Sequence, residues 1–153
     1  MKITEMLRRE FILEGLKAQN KHDALVELAG VFESGGIRVN PETMLQVLLE
    51  RERLGSTGIG DGIAIPHGKV PGLDQIVVSF GRSHEGIEFD AMDGRPVQLF
   101  FLLMAPENSA GGHLKALARI SRMLRDQSFR KNLLEAKDRE ALFGIIAEMD
   151  NEG

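Results

Sequence analysis

With 153 residues, 42% of them apolar, the chain is long enough to bury one core. Its net charge of -4, with basic residues interspersed among acids, excludes the clustered Lys/Arg surface that a nucleic acid or an anionic membrane calls for. The lack of cysteine excludes disulfide frameworks and thiolate metal sites.

Met1-Lys2-Ile3-Thr4-Glu5 has no signal-peptide core, which together with the absent cysteine predicts a cytoplasmic, reducing setting. The opening is amphipathic, and Phe11-Ile12-Leu13 is apolar enough for a short strand. Leu25, Leu28, Ala29 and Phe32 recur at i, i+3, i+4, i+7, which predicts a helix that Gly35-Gly36 stop. Asn40-Pro41-Glu42 supplies an N-cap, an N1 proline and a first-turn acid, so a second helix is expected from there to about Arg53, with Gly55 just past its end. A glycine-studded turn (Gly55-Ser56-Thr57-Gly58-Ile59-Gly60-Asp61-Gly62) therefore starts at a helix C-terminus. It leads through Ile63-Ala64-Ile65 to Pro66-His67-Gly68-Lys69.

Residues 75–80, 86–89 and 97–104 read as strands, the last buried on both faces, with Asp93-Gly94 marking the turn before it. The run at 97–105 is interrupted by Gln98 and too short to span a bilayer, so no membrane insertion is expected. A third helix is expected from about His113, with Leu114, Leu117, Ala118, Ser121 and Leu124 on one face; helices near 128–136 and 138–149 finish the chain. Strands inside a shell of helices predict an α/β sandwich formed as one domain, residues 1–153.

Several catalytic motifs nearly form and fail. Gly62 to Lys69 resembles a phosphate-binding loop, but the spacing to Gly68 is one residue too long and Val70 stands where Ser or Thr must bind magnesium. The glycine turn lacks G-x-G-x-x-G spacing. His84-Glu85-Gly86-Ile87-Glu88 has Glu where a zinc helix needs its second His, so no metal site is expected. No G-x-S-x-G elbow and no cysteine nucleophile are present.

Four histidines remain. His22 falls in a polar first turn and His84 in a charged loop, and both read as solvated surface. His113 follows Gly111-Gly112 at the start of a helix. It is either a helix-start residue or a second imidazole at the positive end of a helix dipole, suited to anions. Around His67 cluster Pro66, Gly68 and the preceding glycines. Either tight turns alone explain that, or the imidazole ends a stiff segment beside unshielded amides and serves phosphoryl chemistry.

Arg51-Glu52-Arg53-Leu54-Gly55-Ser56-Thr57-Gly58-Ile59-Gly60, followed by Gly62-Ile63-Ala64-Ile65-Pro66-His67-Gly68-Lys69, resembles the signature of the enzyme IIA domains of the bacterial phosphotransferase system, fructose/mannitol type. The segments Phe89-Asp90-Ala91-Met92-Asp93-Gly94-Arg95-Pro96-Val97, Phe101-Leu102-Leu103-Met104-Ala105-Pro106 and His113-Leu114-Lys115-Ala116-Leu117-Ala118 are similar to the family's other blocks, in order along nearly the whole chain. The opening 3–16 and the absence of a fused second domain resemble the nitrogen-regulatory branch, EIIA-Ntr.

The resemblance implies a three-layer fold, a mixed central β-sheet flanked by helices on both faces. It implies a phosphoryl carrier in which His67 accepts the group, as a tele-phosphohistidine, from the phosphohistidine of an HPr-like carrier, NPr in the nitrogen branch. His113 and Arg51 would complete the catalytic site, and Ser56, Thr57 and Gly58 would bind the phosphoryl group. No cofactor is implied. The chemistry agrees, because a neutral imidazole attacks phosphorus near pH 7 without a general base, and transfer then depends on positioning and on charge stabilisation at the equatorial oxygens. Arg51 near a helix C-terminus also suits the dipole, and Lys69 and Asp61 read as solvated turn positions, with Lys69 a minor anion contact. The leading reading is a regulatory module whose phosphorylation state selects its partners; the alternative is a sugar-transport EIIA passing phosphate from His67 to a fructose- or mannitol-type IIB domain.

Overall fold

The computed structural model describes residues 1–152. At its centre lies β6 (Val97–Pro106), apolar on both faces and buried save for Gln98. Such a strand must be covered on both sides, and the rest of the chain does so. On one edge β6 pairs antiparallel with β5 (Val77–Ile87), which pairs parallel with β1 (Ile12–Leu13). On the other edge it pairs parallel with two successive segments, β3 (Ile63–Ala64) and then β4 (His67–Val70). β2 (Gly58–Gly60) folds back antiparallel on β3, completing a six-stranded mixed sheet. The break between β3 and β4 falls at Ile65-Pro66, where proline has no N–H to give to a ladder, although its carbonyl still accepts from Leu103 N at 2.9 Å.

Alternation along β5 separates the layers. Ser79 Oγ donates to the Leu28 carbonyl in α1 (Lys21–Gly30) at 2.8 Å, and a Cβ on Gly81 would fall 2.7 Å from Leu28 Cδ2. Arg82 points to the opposite face, where Nη1 donates to the Leu133 and Ala136 carbonyls at the end of α4 (Gln127–Glu135). There it satisfies carbonyls that a helix C-terminus leaves open. Helices α1 and α2 (Pro41–Arg53) pack together on one face; α3 (Gly112–Leu124), α4 and α5 (Arg139–Glu152) cover the other. This is the three-layer mixed α/β sandwich that was expected.

The local signals for helix starts hold, but α3 buries Ala116, Ile120, Met123 and Leu124, and of the face expected there only Leu124 is buried, with Leu114 and Ala118 exposed. Asn40 Oδ1 accepts from Glu42 N at 2.8 Å, with Pro41 opening α2. The first helix ends earlier than the periodicity suggests, at Gly30, and continues as a 3-10 segment (Val31–Gly35) up to Gly36, whose φ of +78° closes it. The runs at 75–80 and 86–89 prove to be one strand, β5, with an irregular register between Arg82 and Ile87. His84 consequently sits on the exposed end of a strand and not in a loop. The glycine turn contains the β2–β3 hairpin, turned by Asp61 (φ +57°) and Gly62 (φ +76°).

The ends of the chain are fastened by Asp150, fully buried in α5. It accepts from Arg119 Nε at 2.7 Å and from Thr4 N and Oγ1 at 3.0 and 3.1 Å. Burial pushes this carboxyl up, but the Thr4 amide, Arg119 and the Ile3 amide outweigh it, and the pKa ends below the usual range.

Candidate functional site

His67 opens β4, placed against Leu103 of β6 by parallel pairing. Its Nδ1 lies 2.8 Å from the Ile65 carbonyl oxygen, two residues back. A carbonyl only accepts, so Nδ1 carries a ring proton, and in the neutral tautomer this leaves the lone pair on Nε2. Pro66 restricts Ile65 to extended backbone, which stiffens the segment that makes this contact.

His113 is the second residue of α3, with Nδ1 3.3 Å from Ser109 Oγ. A serine hydroxyl can either donate to Nδ1 or accept from it, and in the first case the ring proton sits on Nε2, free to donate. Desolvation, with Lys69 and His67 nearby, lowers the His113 pKa, so near neutral pH the ring is uncharged. Arg51 comes from the last turn of α2, its Nη1 donating to the Gly55 carbonyl at 2.9 Å.

These three side chains, distant in sequence, border one groove of about 430 Å³. α2 and its C-cap contribute Val47, Glu50, Arg51 and Leu54; β4 contributes His67, Gly68 and Lys69; Leu103 and His113 close it. The groove runs along β4, which pairs with β6 on one side only. Lys69, expected in a solvated turn, lies on β4 and faces the groove with His67. Strand alternation is the signal that would have placed both on one side, had β4 been recognised as a strand. Val47, Glu50 and Leu54 carried no site signal in the sequence.

Ser56, Thr57 and Gly58 do not border the groove. Ser56 Oγ donates to the Phe89 carbonyl at 2.6 Å and accepts from Gly58 N at 3.0 Å. Thr57 N donates to Glu52 Oε1 at 3.1 Å, and its hydroxyl donates to Glu52 Oε2. Gly58 lies against Ala91, where a Cβ would come within 2.9 Å. In this arrangement the glycines serve close packing and turns, and the hydroxyls are spent on the chain itself. Asp61 is exposed in the hairpin turn, and His22 is exposed beside Asp23.

Among the described residues, no three His, Asp or Glu side chains are grouped to hold a metal ion, and no helix is long and apolar enough to cross a membrane.

Residues 5–149 match the family model described as the phosphoenolpyruvate-dependent sugar phosphotransferase system, EIIA 2. The chain is 47% identical to a nitrogen regulatory protein of Bradyrhizobium diazoefficiens over 148 residues, covering 96% of this chain and 95% of that one. It is 37% identical to the fructose-specific EIIABC component of Bacillus subtilis, covering 98% of this chain but 24% of that one. The fold is similar to the crystal structure of the nitrogen regulatory protein IIA-Ntr from Neisseria meningitidis, with a TM-score of 0.88 at 34% identity, covering 94% of this chain and 98% of that one.

Proposed function

Because the chain belongs to the EIIA type 2 family of the phosphoenolpyruvate-dependent sugar phosphotransferase system, we propose that it is a cytoplasmic phosphoryl carrier that accepts its group on Nε2 of His67. The observation that carries this reading is the Nδ1 bond to the Ile65 carbonyl, which leaves Nε2 as the free nucleophile in a groove shared with Arg51, Lys69 and His113. The donor is the phosphohistidine of an HPr-like protein, NPr in the nitrogen branch. As the Nε2–P bond forms, the donor's N–P bond breaks and its imidazole leaves with the electron pair. Nδ1–H stays on the Ile65 carbonyl, which steadies the positive charge that develops on the ring.

Phosphoryl transfer needs in-line placement and charge at the equatorial oxygens, with little covalent help from the protein. Arg51 supplies planar donors, Lys69 a point charge and His113 a neutral donor, so no cofactor takes part. Ser56, Thr57 and Gly58 contribute by holding the loop behind Arg51. The greater identity to a nitrogen regulatory protein, 47% against 37% for the fructose-specific relative, supports a regulatory carrier whose phosphorylation state selects its target proteins. Relay from His67 to a fructose- or mannitol-type IIB domain is the second reading, and the fructose-specific relative supports it.

Incubating the wild type and His67→Ala with a phosphorylated HPr-like donor, followed by mass spectrometry, tests the role of His67. Uptake by the wild type and none by a folded His67→Ala is expected; equal uptake removes His67 from the reaction. Subsequent transfer to a IIB domain, or its absence alongside phosphate-dependent target binding, separates the two readings.

A further inference from the structure

Arg51 is aimed by a contact that depends on its surroundings. Its Nη1 bonds the Gly55 carbonyl, and Gly55 has φ of +143°, a conformation that side-chain-bearing residues rarely adopt. That carbonyl faces Arg51 only while the 54–57 loop keeps its path. The next residue, Glu52, has a side chain only 5% exposed, and a carboxylate so buried is costly unless its oxygens are well bonded. Oε1 takes Lys21 Nζ at 2.9 Å and Thr57 N at 3.1 Å, while Oε2 takes the Thr57 hydroxyl. Lys21 is itself seated 4.7 Å from the centre of the Phe89 ring. Lys21, Glu52 and Thr57 are all absent from the groove wall, yet their bonds pin the far end of the loop whose near end carries the Gly55 carbonyl.

We propose that Glu52 and Thr57 are positioning residues, which hold the Gly55 carbonyl against Arg51 and so set the guanidinium at the mouth of the His67 groove. The proposal rests on the phosphocarrier reading. Without the clasp, the loop relaxes, Arg51 regains its rotamer freedom, and it no longer meets the phosphoryl oxygens in one orientation. Thr57→Val removes one hydroxyl at constant shape; Thr57→Ser restores it.

The test is a double-mutant cycle on single-turnover transfer from the phosphorylated HPr-like donor, with wild type, Thr57→Val, Thr57→Ser, Arg51→Ala and Arg51→Ala with Thr57→Val, each checked by a melting curve. Thr57→Val should slow transfer about tenfold, Thr57→Ser should restore it, and Thr57→Val should add no slowing when Arg51 is already alanine. Normal transfer by Thr57→Val, or full additivity with Arg51→Ala, overturns the proposal. Should Thr57→Val melt below the assay temperature, Glu52→Gln enters the same cycle with the same two outcomes. A wild type that takes no phosphate on His67 overturns the carrier reading instead, which keeps the two failures apart.

Discussion

Gly68 lies so close to Val47 that a Cβ in place of its hydrogen would stand 2.5 Å from Val47 Cγ1, far inside van der Waals contact. That approach sets the distance between α2 and β4. Val47 precedes Arg51 by one helical turn, and Gly68 follows His67, so the same contact fixes the spacing of guanidinium and imidazole across the groove.

Gly68→Ala should therefore push α2 away from β4, because valine is stiff at χ1 and yields little. A loss of about 1 to 3 kcal/mol in stability is expected from overpacking, with slower phosphoryl uptake by His67. Adding Val47→Ala makes room and should recover part of both. Urea melts and single-turnover transfer on the single and double variants check this, and wild-type behaviour of Gly68→Ala would show that the contact does not govern the spacing.

His113→Ala should keep the fold while slowing transfer by about one to two orders of magnitude, the value of a charge-assisted hydrogen bond of about 1.5 to 3 kcal/mol. His113→Gln, which keeps a donor, should lose less. Normal transfer in both variants, with a change only in melting temperature, would reduce His113 to a helix-start residue.

The same histidine gives a pH signature. Its folded pKa lies below the unfolded value of about 6.5, so the unfolded chain binds the proton first as pH falls. No stability is at stake above that range. Between about pH 6.5 and the lower folded value the native state should lose stability, and His113→Gln should flatten that part of the profile. Denaturation midpoints measured from pH 8 to 5 on both proteins compare the slopes, and identical slopes would contradict the shift.

At the chain ends, removing either side of the buried Arg119–Asp150 pair leaves an uncompensated charge, so Arg119→Ala or Asp150→Ala should cost about 3 to 5 kcal/mol. Asp150 titrates lower when folded, so its contribution is complete above about pH 3.9 and is lost as pH falls through the folded value. Acid unfolding of Asp150→Asn should accordingly be less steep. An unchanged acid profile would exclude Asp150 as a source of that steepness.

Helix starts and the central strand were legible because their signals are local. Asn40-Pro41-Glu42 specifies its own cap, and the apolar run of β6 permits little besides a strand covered on both faces. The continuity of β5 was hidden by the polar stretch Arg82-Ser83-His84-Glu85, whose Arg82 is buried by tertiary bonds to α4 that no periodicity reveals. The family signature pointed to His67, His113 and Arg51, and the fold gathers them around one groove. Lys69 is exposed, as expected, but stands on β4 and not in a turn, because four-residue β4 is too short to show alternation. Of the glycines that left tight turns and an anion cradle both open, Gly68 meets Val47, Gly58 meets Ala91 and Gly62 turns a hairpin; a missing Cβ looks the same in sequence whether the space is taken by a ligand or by the protein.

The most direct measurement is the site and stability of the phosphoryl bond. After transfer from an HPr-like donor, nitrogen-15 and phosphorus-31 NMR should place the group on Nε2 of His67, with Nδ1 still protonated against the Ile65 carbonyl, and the label should vanish in acid yet survive alkali. A phosphate found on Nδ1, or an acid-stable one on Ser56 or Thr57, would contradict the role assigned to His67.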